Sequence, residues 1–316
     1  MAKGWYERIR DIDRRFIFLL IALAVILPLV FNLYFPEHPT PMTEEIYDQI
    51  ENMPEGSRVL IDFSYDPPSM PELQPMATAW VRHCFLKKHK IYATALWPIG
   101  QQMAVDSLNE GIEFIKKLDP KRRIVYGEDY VNLGFKSGYQ GVIKVIQTNI
   151  EALYFTDVNG THIRKIPMMK GVTNLKSFDL IISVSAGFPG SKEWVQFGGD
   201  PSGTPVVSGS TAVQAPLLYP YYPAQMVGVL GGLKGGAEYE ALLYQHKLQP
   251  LMQARLAELG KTSDGELVHL AETELGYSQK AIKRMGPQAV AHLVIILFIV
   301  IGNITYFIDR RRGRTR

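Results

Sequence analysis

Two stretches at the chain ends most constrain what this chain can become. Residues 16–35, "FIFLLIALAVILPLVFNLYF", and 289–308, "AVAHLVIILFIVIGNITYFI", each run without an Asp, Glu, Lys or Arg. About twenty residues at a rise of ~1.5 Å reach ~30 Å, the thickness of a bilayer's hydrocarbon core. Charge clusters flank both runs, which a buried core helix has no reason to carry. The first run also lacks the small-residue cleavage site of a signal peptide. The reading is a two-pass membrane protein.

Lysine and arginine orient it. Lys3, Arg8, Arg10, Arg14 and Arg15 precede the first run, and Arg310, Arg311, Arg312, Arg314 and Arg316 follow the second. On the other side there is no basic residue between the first run and Arg58, and only Lys280, Lys283 and Arg284 stand before the second. The positive-inside rule then puts both termini in the cytoplasm. The expected location is the cell (inner) membrane, with the main domain extracytoplasmic or periplasmic. The net charge of +3 comes from the tails, so no nucleic acid is expected as a partner. One cysteine, Cys84, rules out an internal disulfide and a disulfide-rich module.

Between the runs, short apolar stretches alternate with helical ones. "RVLIDF" (58–63), "KIYATAL" (90–96), "RRIVY" (122–126), "DLIISV" (179–184), "TPVVS" (204–208) and "MVGVL" (226–230) are six candidate strands. Continuous apolar runs followed by helices indicate parallel strands covered on both faces. The fold class is α/β, a doubly wound, mostly parallel Rossmann-like or flavodoxin-like sheet between two transmembrane helices, with a C-terminal helical extension. Asn-Gly within 153–169 predicts an inserted hairpin. The expected organisation is a basic tail at 1–15, a first membrane helix at 16–35, and a linker with a short helix at 36–57. The α/β domain follows at 58–245 and the helical extension at 246–286, punctuated by Gly286-Pro287. The second membrane helix and basic tail occupy 289–308 and 309–316.

In open α/β sheets ligands bind beyond the carboxyl ends of the strands. The loops expected there supply Asp66, Gly187, Ser210, Thr211, Gly232 and Lys234 as ligand-binding candidates for a small polar ligand. "GGLKGG" (231–236) opens a helix, as phosphate-binding loops do. It lacks the G-K-[ST] of a P-loop and the spacing of G-x-G-x-x-G, and Glu238 and Glu240 are expected in the helix's opening turn, where they would repel a phosphate. Close helix–strand packing is the preferred reading of these glycines, with anion binding as its rival.

"SVSAGFPG" (183–190) brings Ser185 to a strand-to-helix turn, like a nucleophile elbow whose first glycine is here Ser183. His246, His269, Asp200 and Asp264 follow in the chain, but both histidines fall in the helical tail. Glu128 and Asp129, expected just past the third strand, form a carboxylate pair suited to acid–base work. Ser185, Glu128 and Asp129 are the catalytic candidates. No metal signature and no cofactor motif occurs, so neither is expected. In the membrane runs, Asn32, His292 and Asn303 are polar groups able to contact another helix. The expected partners are the bilayer and other membrane subunits or a second copy. The expected function is a non-enzymatic binding or assembly component of a membrane complex. The alternative is an envelope-facing hydrolase or transferase using the strand-end cleft.

Overall fold

The computed structural model describes residues 12–31, 33, 37–258, 279–311 and 313. It divides into two compact units, one of Glu37–Ala281 and one of Met1–Pro36 with Ile282–Arg316.

The larger unit is built on six parallel strands, β1 (Arg58–Ser64), β2 (Lys90–Ala95), β3 (Tyr130–Phe135), β4 (Leu180–Ser185), β5 (Val206–Ser210) and β6 (Gly228–Gly231). Their order is β3-β2-β1-β4-β5-β6, that of the Rossmann fold rather than of flavodoxin. Helices cover both faces. On one side α2 (Pro41–Asn52), α3 (Met70–Leu86), α4 (Gly100–Leu118) and α8 (Gly232–Leu243) pack against Ile61, Phe63 and Ile182. On the other, α5 (Gln140–Thr148), α6 (Ser191–Trp194) and α7 (Ala215–Leu218) cover Leu60, Tyr92 and Ile181. Burial on both faces is why β1 and β4 read as unbroken apolar runs. The short helix α2 buries Ile46 and Ile50 completely and so belongs to this core. After α8 a π turn over Tyr244–Leu248 leads into α9 (Gln249–Glu258), which buries Met252.

Three expectations about elements are corrected. Residues 122–126 form no strand beyond a single bridge between Tyr126 and Tyr130, and β3 lies four residues further on. The reason is turn chemistry: Gly127 adopts φ 83° and the Asp129 carboxylate accepts the Val125 N–H at 2.7 Å, so "VYGED" closes into a turn. The expected hairpin is one antiparallel bridge, Thr156 with His162, because Asp157 captures the Asn159 and Thr161 N–H groups and curls the chain. The glycine stretch is no loop either, for α8 starts directly at Gly232.

In the smaller unit α1 runs from Arg14 to Val30, capped by Asp13, whose carboxylate accepts the Arg15 N–H. The helix α10 runs from Lys280 to Arg311, 32 residues, and is long and apolar enough to cross a membrane. It passes through Gly286-Pro287 without a break, which corrects the expected punctuation. Among the described residues α10 is the one helix that meets both criteria, where two were expected; α1 has 17 residues.

Candidate functional site

In a sheet of this order the chain reverses direction between β1 and β4, and the crevice lies beyond their carboxyl ends. The residues there share a pattern. Asp62-x-Ser64 ends β1, Ser183-x-Ser185 ends β4 and Ser208-x-Ser210 ends β5. Alternation in a strand puts both members of each pair on one face. The register then aligns them in two rows across the sheet. One row is Thr94, Asp62, Ser183 and Ser208; the other is Ser64, Ser185 and Ser210.

The rows are buried and knitted together. Ser64 Oγ donates to Asp62 Oδ1 at 2.8 Å and Ser183 Oγ to Asp62 Oδ2 at 3.3 Å. Ser191, which opens α6, joins the remainder: its hydroxyl lies 2.6 Å from Ser208 Oγ and 3.0 Å from Ser185 Oγ, and its N–H donates to Ser185 Oγ at 3.0 Å. Thr94 meets the buried Tyr154 hydroxyl. Ser210 Oγ is buried with no hydrogen-bond partner among the described residues. Burial pushes the Asp62 carboxyl up to about 7, against the pull of its serine donors. The cluster therefore contains an acid poised near neutrality, surrounded by hydroxyls.

A roof covers it. Trp97, after β2, donates its indole N–H to the Pro189 carbonyl at 2.9 Å. Tyr139, after β3, stacks on Phe188, after β4, with centroids 5.7 Å apart. Gly190 must be glycine because a Cβ there would stand 2.5 Å from Ser185 Oγ and 2.4 Å from the Gly187 carbonyl. The 186–190 turn thus closes directly over Ser185.

The expected site residues do not all gather here. Ser185 sits in the cluster as the hydroxyl that receives the first helical N–H, the ordinary work of a cap. His246 lies on the other face of the sheet, 5.5 Å from the Tyr47 ring, so it does not approach Ser185. His269 and Asp264 lie outside the described residues. Glu128 and Asp129 precede β3 and stand at the amino edge, opposite the mouth to which they were assigned. Glu128 is exposed there, while Asp129 holds its turn. Gly187 and Ser210 belong to the switch-point region, Asp66 caps the start of α3 through the Ser69 N–H, and Thr211 turns the chain into α7. Gly232 takes φ 59° beside Ala212. Lys234 lines a separate cavity of about 410 Å³ with Thr43, Tyr219, Tyr222 and Glu238. His292 and Asn303 face outward on α10, and Asn32 lies outside the described residues.

No protein-family model, no curated protein and no solved structure matches the chain. The site is therefore read from its own chemistry.

Two buried polar groupings went unseen in the sequence. Glu238 and Glu240, expected in the opening turn of α8, lie deeper in the helix and are buried. Glu238 Oε2 accepts the Thr40 N–H at 3.1 Å, the Thr40 hydroxyl at 2.8 Å and the Thr43 hydroxyl at 2.6 Å, while Lys234 pairs with Oε1. Burial works against its ionised form, but these donors prevail and the pKa falls. Glu240 accepts the Ala281 N–H at 2.9 Å. In the second grouping, His83 joins Glu51 at 3.0 Å to the Tyr239 hydroxyl at 2.7 Å, and Lys87 and Lys247 close on Glu51 at 3.1 and 2.5 Å. Burial holds His83 at about 4, so it is neutral at pH 7. The His83 hydrogen bond leads in keeping Glu51 well below the usual carboxylate range.

Proposed function

We propose that this chain is a two-pass membrane protein whose Rossmann-like domain stands outside the cytoplasm as a non-enzymatic binding and assembly component of a membrane complex. The apolar runs at 16–35 and 289–308 serve as its two spans, and the arginine-rich tails hold both termini inside. The observation that carries the reading is how the domain grips its own ends. At its start, Thr40 and Thr43 are fastened to Glu238; at its finish, Lys280 pairs with Glu110 at 2.8 Å and Ala281 with Glu240. Both ends are thus tied to α8 or to α4, the two helices that flank α3. A domain fixed at entry and exit suits a part that must be positioned in an assembly. Other subunits or a second copy are the proposed partners, with His292 and Asn303 available for helix contacts; the cavity at Lys234 suits a small polar ligand.

One observation favours a second reading. Asp62, poised near neutrality beside Ser183 at the switch point, with Ser185 joined to Ser183 through Ser191, is the arrangement expected of an envelope hydrolase or transferase whose 186–190 turn opens. The two readings separate in one experiment. The full-length protein is extracted from its own membranes in mild detergent, alongside a Ser185→Ala variant, and sized by native mass spectrometry. The assembly reading expects a species heavier than one chain, unchanged in Ser185→Ala, and a variant that still complements a deletion strain. A lone chain, or a folded Ser185→Ala variant that fails to complement, would contradict it.

A further inference from the structure

We infer that the carboxyl-end edge of the sheet rests on the lipid bilayer, with the apolar tips of its loops seated at the membrane surface. The inference builds on the two-pass reading above.

The two edges of the sheet differ in character. At the carboxyl edge, Ile99 after β2 is 47% exposed, Tyr139 after β3 62%, Phe188 after β4 62%, and Val213 and Leu217 after β5 82% and 61%. Four successive loops in the chain thus hold a large apolar side chain out toward solvent. The segments 96–99, 186–190 and 211–219 contain no charged residue. Lys136 stands among them, where it can meet lipid phosphates. The amino edge exposes Lys88, Lys121, Arg123, Glu128, Lys176 and Asp179, with Val125 an exposed apolar side chain among them. An apolar face of this extent on a water-soluble domain calls for an occupant.

The chain's own path selects lipid as that occupant. Glu37, the first residue of the domain, lies 4.0 Å from Lys234 in the first turn of α8, which follows directly from the carboxyl end of β6. Only residues 31–36 separate Glu37 from the end of α1 at Val30. Even fully extended, that link spans about 25 Å. A domain whose carboxyl edge is leashed so briefly to a membrane span keeps that edge within reach of the headgroups. Tyrosine and phenylalanine at loop tips suit that zone, where amphipathic and aromatic rings settle.

The test uses the full-length protein with one new cysteine at Val213, Leu217 or Lys121, each labelled with an environment-sensitive NBD fluorophore. Buried Cys84 stays in place, with unsubstituted protein as the labelling control. Each sample is reconstituted into phosphatidylcholine–phosphatidylglycerol liposomes with or without doxyl-labelled lipid. At 213 and 217 the emission is expected to shift to shorter wavelength and to lose intensity with doxyl lipid; at 121 it should do neither. Two outcomes overturn the inference: quenching at 213 and 217 by aqueous iodide to the same degree as at 121, or a blue shift that doxyl lipid leaves unquenched, which would mean protein covers the edge. Failure of the two-pass reading looks different: in spheroplasts, single cysteines placed at Lys3 and at Arg314 would then differ in labelling by a membrane-impermeant maleimide, whereas two spans leave both tails on the same side.

Discussion

Asp62 is the residue at which fold and chemistry meet. It is wholly buried in the middle of a parallel sheet, where the Ser64 and Ser183 hydroxyls donate to it. Its folded-state pKa of about 7 lies above the unfolded value near 3.8, so the folded domain holds the proton more tightly. The stability this lends is fully present below about pH 4 and is lost as pH rises through about 7, a difference of about 4 kcal/mol. His83, held at about 4 by burial, adds stability as pH rises over part of the same range. The Asp62 contribution is therefore read from the melting temperature of the full chain in detergent relative to Asp62→Asn, which is expected to fall between pH 5 and pH 8. Asp62→Asn, uncharged throughout, should melt higher than the parent at pH 8. A difference between parent and Asp62→Asn that is the same at both pH values would show that Asp62 does not titrate in this range. The pattern that exposes the site was legible: Asp62-x-Ser64, Ser183-x-Ser185 and Ser208-x-Ser210 repeat one spacing at three strand ends. Read loop by loop, as sequence reading tends to proceed, the repeat is missed, because only the register aligns the pairs in rows.

Among the elements, α8 shows most clearly what its glycines do. Gly232 needs its positive φ, and a Cβ there would also stand 2.8 Å from the Ala212 side chain. A Cβ on Gly235 would stand 2.8 Å from the Leu230 backbone, whereas one on Gly236 meets only ordinary contacts at 3.5 Å and beyond. Three neighbours therefore have three outcomes. Gly232→Ala is expected to cost about 1–2 kcal/mol for the left-handed backbone, and Gly235→Ala about 1–3 kcal/mol from overpacking. Gly236→Ala should be neutral or stabilise, since alanine is favoured over glycine in a helix by about 1 kcal/mol. Chemical denaturation of the three variants checks the order, and equal effects at all three positions would refute the packing account. Strands buried on both faces were readable because they are unbroken apolar runs. The edge strand β3 was not, since Asn132 and Gly134 interrupt its pattern while "RRIVY" imitates a strand. Misplacing β3 also put Glu128 and Asp129 at the wrong edge of the sheet. The grip of Glu238 on Thr40 and Thr43 was beyond reach for another reason: its partners lie 198 and 195 residues away along the chain.

At the scale of the whole molecule, the account rests on sidedness. Compartment decides which ligands the domain can meet, because an extracytoplasmic domain has no access to cytosolic nucleotide pools. The apolar ends and the arginine bias were plain in the sequence, since hydrophobic length and charge count survive without knowledge of tertiary contacts. The contrast between the two edges of the sheet became visible only once strand order had brought the loops together. The measurement that tests the central claim most directly is cysteine accessibility. Lys121 is exposed at the charged amino edge, and Cys84 is buried and serves as its own control. Lys121→Cys in intact cells or spheroplasts, treated with a membrane-impermeant maleimide, should label without lysis. Labelling that appears only after lysis would place the domain in the cytoplasm and contradict the account.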